Sequence, residues 1–373
     1  MNGLVDRGNT VLTTDELKEK LLPKYQAAID ANVQTIMASY NSWNGVKCHG
    51  SKELLTDILK VEMGFEGFVI SDWQGIDEIP GNYKSDIITS INAGVDMVMV
   101  SGQGQPYKKF MRLLKENVEE GSISMERIDD AVSRILKVKL RNGLFGNPIV
   151  QNDNLQVIGS DDHRNIARQA VRESVVVLKN ENLIPISKES KSIVVAGRGA
   201  DNLGMQCGGW TINWQGGQGD ITIGTTILDG IKESVSTETK VIHSKDGTDL
   251  GNVSGDLAIV VIGEDPYTEF FGDKDNLDLL EEDIQTINNL KDKGYKVLVL
   301  LISGRPMNIA DHLDNWDGFA AIWLPGTEGN GVSDILFGDF QSTGKLSYPW
   351  PINTEDGANA PENDLLYNIG FGL

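Results

Sequence analysis

Gly67-Phe68-Val69-Ile70-Ser71-Asp72-Trp73 is apolar at its centre and turns polar only at Ser71 and Asp72. A short apolar run of this kind predicts a strand buried on both faces, as in parallel sheets. Working outward, Thr35–Tyr40 predicts a similar strand that ends in the polar turn Asn41-Ser42-Trp43-Asn44-Gly45, and Met97–Val100 predicts another. Between them, Ser51 is placed to cap a helix with Leu54, Leu55, Ile58 and Leu59 at helical spacing. Helices are expected at Lys84–Ala93 and Tyr107–Glu119, and Ser124 opens one with Ile128, Ala131, Val132, Ile135 and Leu136 on one face. Strands alternating with helices make parallel β/α units. Only three such units precede Phe145, whereas a closed barrel needs eight and about 250 residues. The segment therefore reads as a small open sheet or as the later part of a barrel.

Phe145–Ser160 carries Gly, Pro, Asn and Asp without periodicity and reads as a linker. The pattern then restarts. A helix at Arg164–Ser174 leads to strands at Val175–Leu178, Ser192–Ala196, Leu257–Ile262, Lys296–Ile302 and Ala320–Leu324. Helices are expected at Thr226–Glu233, Leu280–Lys291 and Val332–Phe337. The predicted organisation is residues 1–144 as partial β/α barrel, 145–160 as linker and 161–373 as a layered α/β sandwich.

Composition narrows the function. The 373 residues carry 33 Lys plus Arg against 54 Asp plus Glu, a formal charge of −21. Such a field repels phosphate backbones and anionic membrane surfaces, so neither nucleic acid nor membrane is an expected partner. No apolar run in the sequence reaches the length of a membrane span. Cys48 and Cys207 are too far apart to make a disulfide framework or a zinc site. His49, His163, His243 and His312 lack metal-ligand spacing, so no metal is expected.

In β/α architecture, polar residues at the C-terminal ends of strands face the active site. Asp72 holds that position, with Trp73 beside it. A carboxylate next to an indole suits carbohydrate chemistry, in which the acid attacks an anomeric carbon and the ring stacks on a sugar face; a helix-capping aspartate beside a core tryptophan is the plainer reading. The glycine-rich loop Cys207–Gly217 holds Trp210 and Trp214, a stacking surface or a loop folded over its own rings. Leu257–Ile262 runs into Gly263-Glu264-Asp265-Pro266-Tyr267-Thr268-Glu269, again a strand followed by acids. Retaining glycoside hydrolysis uses two carboxyls about 5–5.5 Å apart. Glu264, Glu269 and Glu328 are candidates to join Asp72, and each could equally be a solvated loop acid. A competing motif, Gly197-Arg198-Gly199 after a strand, resembles a dinucleotide-binding turn, but Asn202 stands where that fingerprint needs Gly or Ala.

Lys47-Cys48-His49-Gly50 through Ser71-Asp72-Trp73, Gly208-Gly209-Trp210-Thr211-Ile212, Gly263-Glu264-Asp265-Pro266-Tyr267-Thr268-Glu269 and Ser303-Gly304-Arg305-Pro306 together resemble glycoside hydrolase family 3, of the exo-β-glucan glucohydrolase and β-glucosidase type. The resemblance implies a (β/α)8 barrel followed by a six-stranded α/β sandwich, with the active site in the cleft between them. It makes Asp72 the nucleophile and Glu264 the general acid/base. It also makes Trp73 and Trp210 an indole clamp, Tyr40 and Met37 lining for the cleaved glucose, and Glu269 and Glu328 supporting residues. The implied reaction is removal of glucose from non-reducing ends of β-linked oligosaccharides, with retention and without cofactor. Members carry further glucose-binding residues before the point matching Met1, and Asn2–Thr10 reads like the loop that follows them. Little activity is therefore expected of the chain alone. Half of a split enzyme, completed by a second polypeptide, and a non-catalytic carbohydrate-binding protein stand as alternatives. The family acts mostly outside the cytoplasm, which implies a periplasmic or secreted location.

Overall fold

The computed structural model describes residues 6–149, 152–251, 256–274, 276–354 and 360–373. The first residues of the expected Asn2–Thr10 loop, and positions 150 and 151 of the expected linker, lie outside the described residues. The chain divides into two compact units, Met1–Asn152 and Asp153–Leu373.

The first unit runs β1 (Asn9–Thr10), α1 (Thr14–Lys20), α2 (Leu22–Asp30), β2 (Thr35–Met37), β3 (Ser42–Trp43), β4 (Val46–Lys47), a wide helix (Glu53–Glu62) and β5 (Phe68–Ile70), then α3 (Tyr83–Ala93), α4 (Pro106–Glu119) and α5 (Met125–Arg141). β2 and β5 pair in parallel, with Met37 opposite Ile70. The expected strand to Tyr40 stops at Met37. Ala38 N still donates to Ile70 O, but Ser39 Oγ then accepts the Asn41 N–H and turns the chain out. The expected strand Met97–Val100 is reduced to one parallel bridge, Ile70 to Met97. Side chains take the ladder's hydrogen bonds there: Asp96 Oδ2 accepts Val69 N–H at 2.8 Å and Ser71 Oγ accepts Met99 N–H at 2.8 Å.

The helix after Ser51 is wound wide, with Met63 N donating to Ile58 O, and Ser51 Oγ accepts Leu54 N–H as a cap should. Its predicted apolar residues Leu55, Ile58 and Leu59 are buried. On α5 the predicted stripe is partly buried: Ala131 is buried and Ile128 and Ile135 are half-buried, whereas Val132 and Leu136 are exposed and Val138 is buried in addition. Arg134 on the same helix donates to the carbonyls of Phe65 and Gly67 beside β5.

The second unit contains α6 (Asp161–Ser174), β6 (Val176–Asn180), β7 (Ser192–Ala196), α7 (Leu203–Cys207), α8 (Ile227–Ser234), β8 (Lys240–Ser244), β9 (Leu257–Gly263), α9 (Glu281–Asp292), β10 (Lys296–Ile302), α10 (Ala310–Leu313), β11 (Gly318–Trp323) and α11 (Gly329–Leu336). A small antiparallel pair, β12 (Trp350–Pro351) and β13 (Leu365–Tyr367), follows. Its six-stranded sheet has the order β6-β11-β10-β9-β7-β8, parallel except for β6. Residue alternation serves both faces. Ile193, Val195, Ile259, Val261, Leu298 and Leu300 pack under α6, α8 and α11. Val194, Ala258, Val260, Val297 and Val299 pack with Ile287 and Leu290 of α9. A strand buried on both faces needs no polar alternate, which is why these runs were legible as apolar blocks. β8 is an edge strand, Lys240-Val241-Ile242-His243-Ser244, whose polar ends leave no apolar block in the sequence.

The order reverses at β7. The chain leaves it for β8 on one side and returns as β9 on the other. In open α/β sheets, functional crevices form beyond the C-terminal ends of strands at such a switch point. Those ends carry Gly197-Arg198 and Gly263-Glu264.

Candidate active site

In the first unit, Asp72 follows β5 and its backbone N–H donates to His49 Nε2 at 3.0 Å. An imidazole nitrogen that accepts a hydrogen bond carries no proton, so His49 is neutral, with its proton on Nδ1. Complete burial enforces this, pushing His49 down to about 4 against the upward pull of Asp72 and Glu78. The fit depends on Gly75, where a Cβ would lie 2.3 Å from His49 Nε2. Asp72 Oδ1 accepts Trp73 N–H at 2.6 Å, and Asp72 O accepts from Ser71 Oγ and from Gly75 N. The loop is thereby closed on itself, and the Trp73 side chain is left 57% exposed.

Tyr40 comes to the same place. Its hydroxyl donates to the Trp73 carbonyl, its ring lies 6.0 Å from that of His49, and the Arg7 guanidinium sits 4.2 Å above its centre. Burial, and then the nearby Asp72 charge, push the Tyr40 phenol far up, so it acts as a donor throughout the ordinary pH range. Glu78 ties this group together, accepting from Arg7 and from Lys47 Nζ at 2.9 Å. Met37 ends β2 and is exposed.

In the second unit, Glu264 follows β9 with its side chain 3% exposed. Its backbone N–H donates to Ile302 O. Arg305 grips the carboxylate through Nη2 and Nε, at 2.7 and 3.2 Å to Oε1, and donates Nη1 to Gly272 O at 2.6 Å. Tyr267 donates its hydroxyl to Oε2 at 3.2 Å, and Lys274 lies 3.6 Å from Oε1. Burial, together with the Glu264 charge, pushes the Tyr267 phenol up to about 12. The Arg305 guanidinium also lies 4.7 Å over the Tyr267 ring.

Gly263 makes the turn possible: at φ +152° its absent Cβ would fall 1.9 Å from Ile302 O. The Gly197-x-Gly199 turn has the same purpose. A Cβ on Gly197 would meet Val261 O at 2.2 Å, so that glycine allows close approach to β9. Arg198 between the two glycines donates to Asp265 and Gly263 O. The loop after them enters a short helix, α7.

Asp72, Trp73 and Tyr40 are thus assembled in one unit, and Glu264 is assembled in the other. Glu269 is exposed, in a left-handed conformation at φ +50°. Glu328 is buried at the start of α11, where it accepts from Thr327 and lies 3.4 Å from Arg164. Trp210 is 70% exposed, in a left-handed conformation at φ +60°. Sequence reading did not single out His49, Arg305 or Tyr267 as partners of the two acids. Spacing in the sequence cannot show a contact across 23 or 41 positions. Among the described residues, no three His, Cys, Asp or Glu side chains are placed to hold a metal ion.

The first unit therefore carries an acid and an indole at a strand end, and the second carries a further acid at its switch point. The chain belongs to glycosyl hydrolase family 3: residues 2–138 match its N-terminal domain and residues 175–373 its C-terminal domain. It is 31% identical to a lysosomal beta glucosidase of Dictyostelium discoideum, over 96% of this chain and 48% of that protein. It is 28% identical to a periplasmic beta-glucosidase of Salmonella typhimurium, over 94% and 51%. Among solved structures, a mutant exo-1,3/1,4-beta-glucanase from a Pseudoalteromonas species matches with a TM-score of 0.91 at 38% identity, over 99% of this chain and 62% of that one. A mutant beta-glucosidase from Listeria innocua, in complex with laminaribiose, matches at 0.83 and 27%, over 98% and 55%. The chain spans about half the length of the curated relatives it matches.

Proposed function

We propose that the chain carries the nucleophile and the acid/base of a retaining, exo-acting β-glucosidase or β-glucan glucohydrolase. Asp72 attacks the anomeric carbon of a terminal β-linked glucose to form a glucosyl ester, while Glu264 gives its proton to the departing oxygen. Water then attacks the ester, Glu264 takes its proton, and glucose leaves with its configuration retained. The observation that carries this reading is Asp72 itself, a half-buried carboxylate at the end of a parallel strand, oriented through its own backbone by a neutral histidine. Arg305 and Tyr267 fix the direction of the Glu264 carboxyl. Trp73 and Trp210 offer exposed indole faces to the sugar on the leaving-group side. Tyr40 and Met37 line the glucose site, with Glu269 in support. The first unit contributes the nucleophile and the second the acid/base.

The names of the relatives support a β-glucoside as substrate and a periplasmic or secreted location. A mechanism-based 2-deoxy-2-fluoroglucoside tests the chemistry, since it adds its glycosyl mass to the peptide containing Asp72 and fails to do so in Asp72→Asn. A label on another carboxylate overturns the assignment. The exposed faces of Trp73 and Trp210 also favour a second reading, a protein that binds glycans without cleaving them. Glycan binding in the absence of any label decides for that reading.

A further inference from the structure

Glu264 is directed from two sides. Arg305 and Tyr267 hold its carboxyl, and a separate pair, Arg198 and Asp283, holds its backbone. Arg198 follows β7 with its side chain 12% exposed, and Asp283 lies in the first turn of α9 with its side chain 2% exposed. Asp283 Oδ1 accepts from Arg198 Nε at 3.2 Å, and its Oδ2 accepts the Gly263 N–H at 3.3 Å. Arg198 donates Nη2 to Gly263 O and Nη1 to Asp265 Oδ1, so it grips the residues on both sides of Glu264. The peptide unit that joins Gly263 to Glu264 is planar. Its carbonyl is held by Arg198 and its N–H by Ile302 O at 2.9 Å. Those two bonds fix the plane, and with it the Cα from which the Glu264 side chain starts.

Burying a charged pair brings little net stability, because desolvation offsets the attraction. Among the described residues, the side-chain hydrogen bonds of Arg198 and Asp283 lead to Gly263, to Asp265 or to each other, and Glu282 lies 3.5 Å from Arg198 Nε. The pair is therefore spent on the turn that carries Glu264. We infer that Arg198 and Asp283 are positioning residues for Glu264: they set the angle at which its carboxyl meets the glycosidic oxygen, and so its delivery of a proton to the leaving group. This rests on the reading of Glu264 as the acid/base and adds how the backbone aims it. A reacting group displaced by about 1 Å loses on the order of a hundredfold in rate, so a fixed starting point matters as much as a fixed carboxyl.

Two leaving groups test this on the 373-residue chain. Dinitrophenolate departs without a proton, whereas phenolate needs one. The kcat/KM on phenyl β-glucoside divided by that on dinitrophenyl β-glucoside therefore reads proton delivery alone. Arg198→Met and Asp283→Asn should lower that ratio by about tenfold to a hundredfold. Arg198→Lys keeps the charge but not the fork and should lower it too, which covers the case in which the other two variants fail to fold. In Glu264→Ala, where no proton is left to give, Arg198→Met should change the ratio no further. A wild-type ratio in every variant, an equal fall in both rates, or a second fall in the Glu264→Ala background overturns the positioning role. A Glu264→Ala ratio equal to that of the wild type refutes Glu264 as the acid/base. A low one beside unchanged Arg198 and Asp283 variants refutes the positioning alone, and a chain that cleaves neither glucoside refutes both.

Discussion

Protonation of His49 should destabilise the protein by an amount that the structure lets us work out. The folded chain holds the ring neutral, with its pKa at about 4, whereas an unfolded chain restores the ordinary value of 6.5. Between those values the unfolded state binds more protons than the folded one, so stability rises with pH across the window. The full contribution is present above pH 6.5 and is lost as pH falls toward 4. Each pKa unit is worth about 1.4 kcal/mol, so the total is roughly 3 kcal/mol, of which somewhat under half is already lost at pH 5.5. Other carboxylates also titrate in acid, so the comparison is with His49→Gln, whose side-chain oxygen can still accept the Asp72 N–H. Urea unfolding of both proteins at pH 7.5, 5.5 and 4.5 should give a wild-type-minus-variant difference that shrinks by roughly 2 to 3 kcal/mol. Histidine NMR titration should show a ring still neutral at pH 5 whose signal is missing from His49→Gln. Parallel stability curves, or a His49 ring that titrates near 6.5, would refute the account of a neutral, acceptor His49 behind Asp72.

Three further outcomes follow from the same geometry. Arg305→Met leaves the Glu264 carboxylate buried without its two-pronged partner and should cost about 3 kcal/mol in urea unfolding, with Arg305→Lys recovering only part of it. Gly263→Ala forces a methyl to within 1.9 Å of the Ile302 carbonyl at a positive φ and should cost roughly 3 kcal/mol or more, seen as a large fall in melting temperature. Asp334 is 2% exposed and accepts from Arg168 and Arg172 at 2.5–2.7 Å. Asp334→Ala should loosen α6 from α11 by about 3 kcal/mol and speed hydrogen exchange along α6.

Local composition was enough to locate the apolar strands. β7 and β10 have the bounds that their valine, leucine and isoleucine runs predict, because a strand covered on both faces has no room for polar residues. It also placed Asp72 and Glu264 at strand ends, since chemistry in this architecture falls where an apolar run stops. Tertiary structure decided the rest. Whether Met97–Val100 made a ladder depended on two side chains, Asp96 and Ser71, that take the backbone's hydrogen bonds. On α5, Ile128, Ala131 and Ile135 of the predicted stripe face inward, but Val132 and Leu136 stay exposed while Arg134 reaches two carbonyls near β5. The partners of the two acids, His49 and Arg305, are distant in sequence. A hydrogen bond is fixed by where folded segments come to lie, and no local pattern of residue types records that.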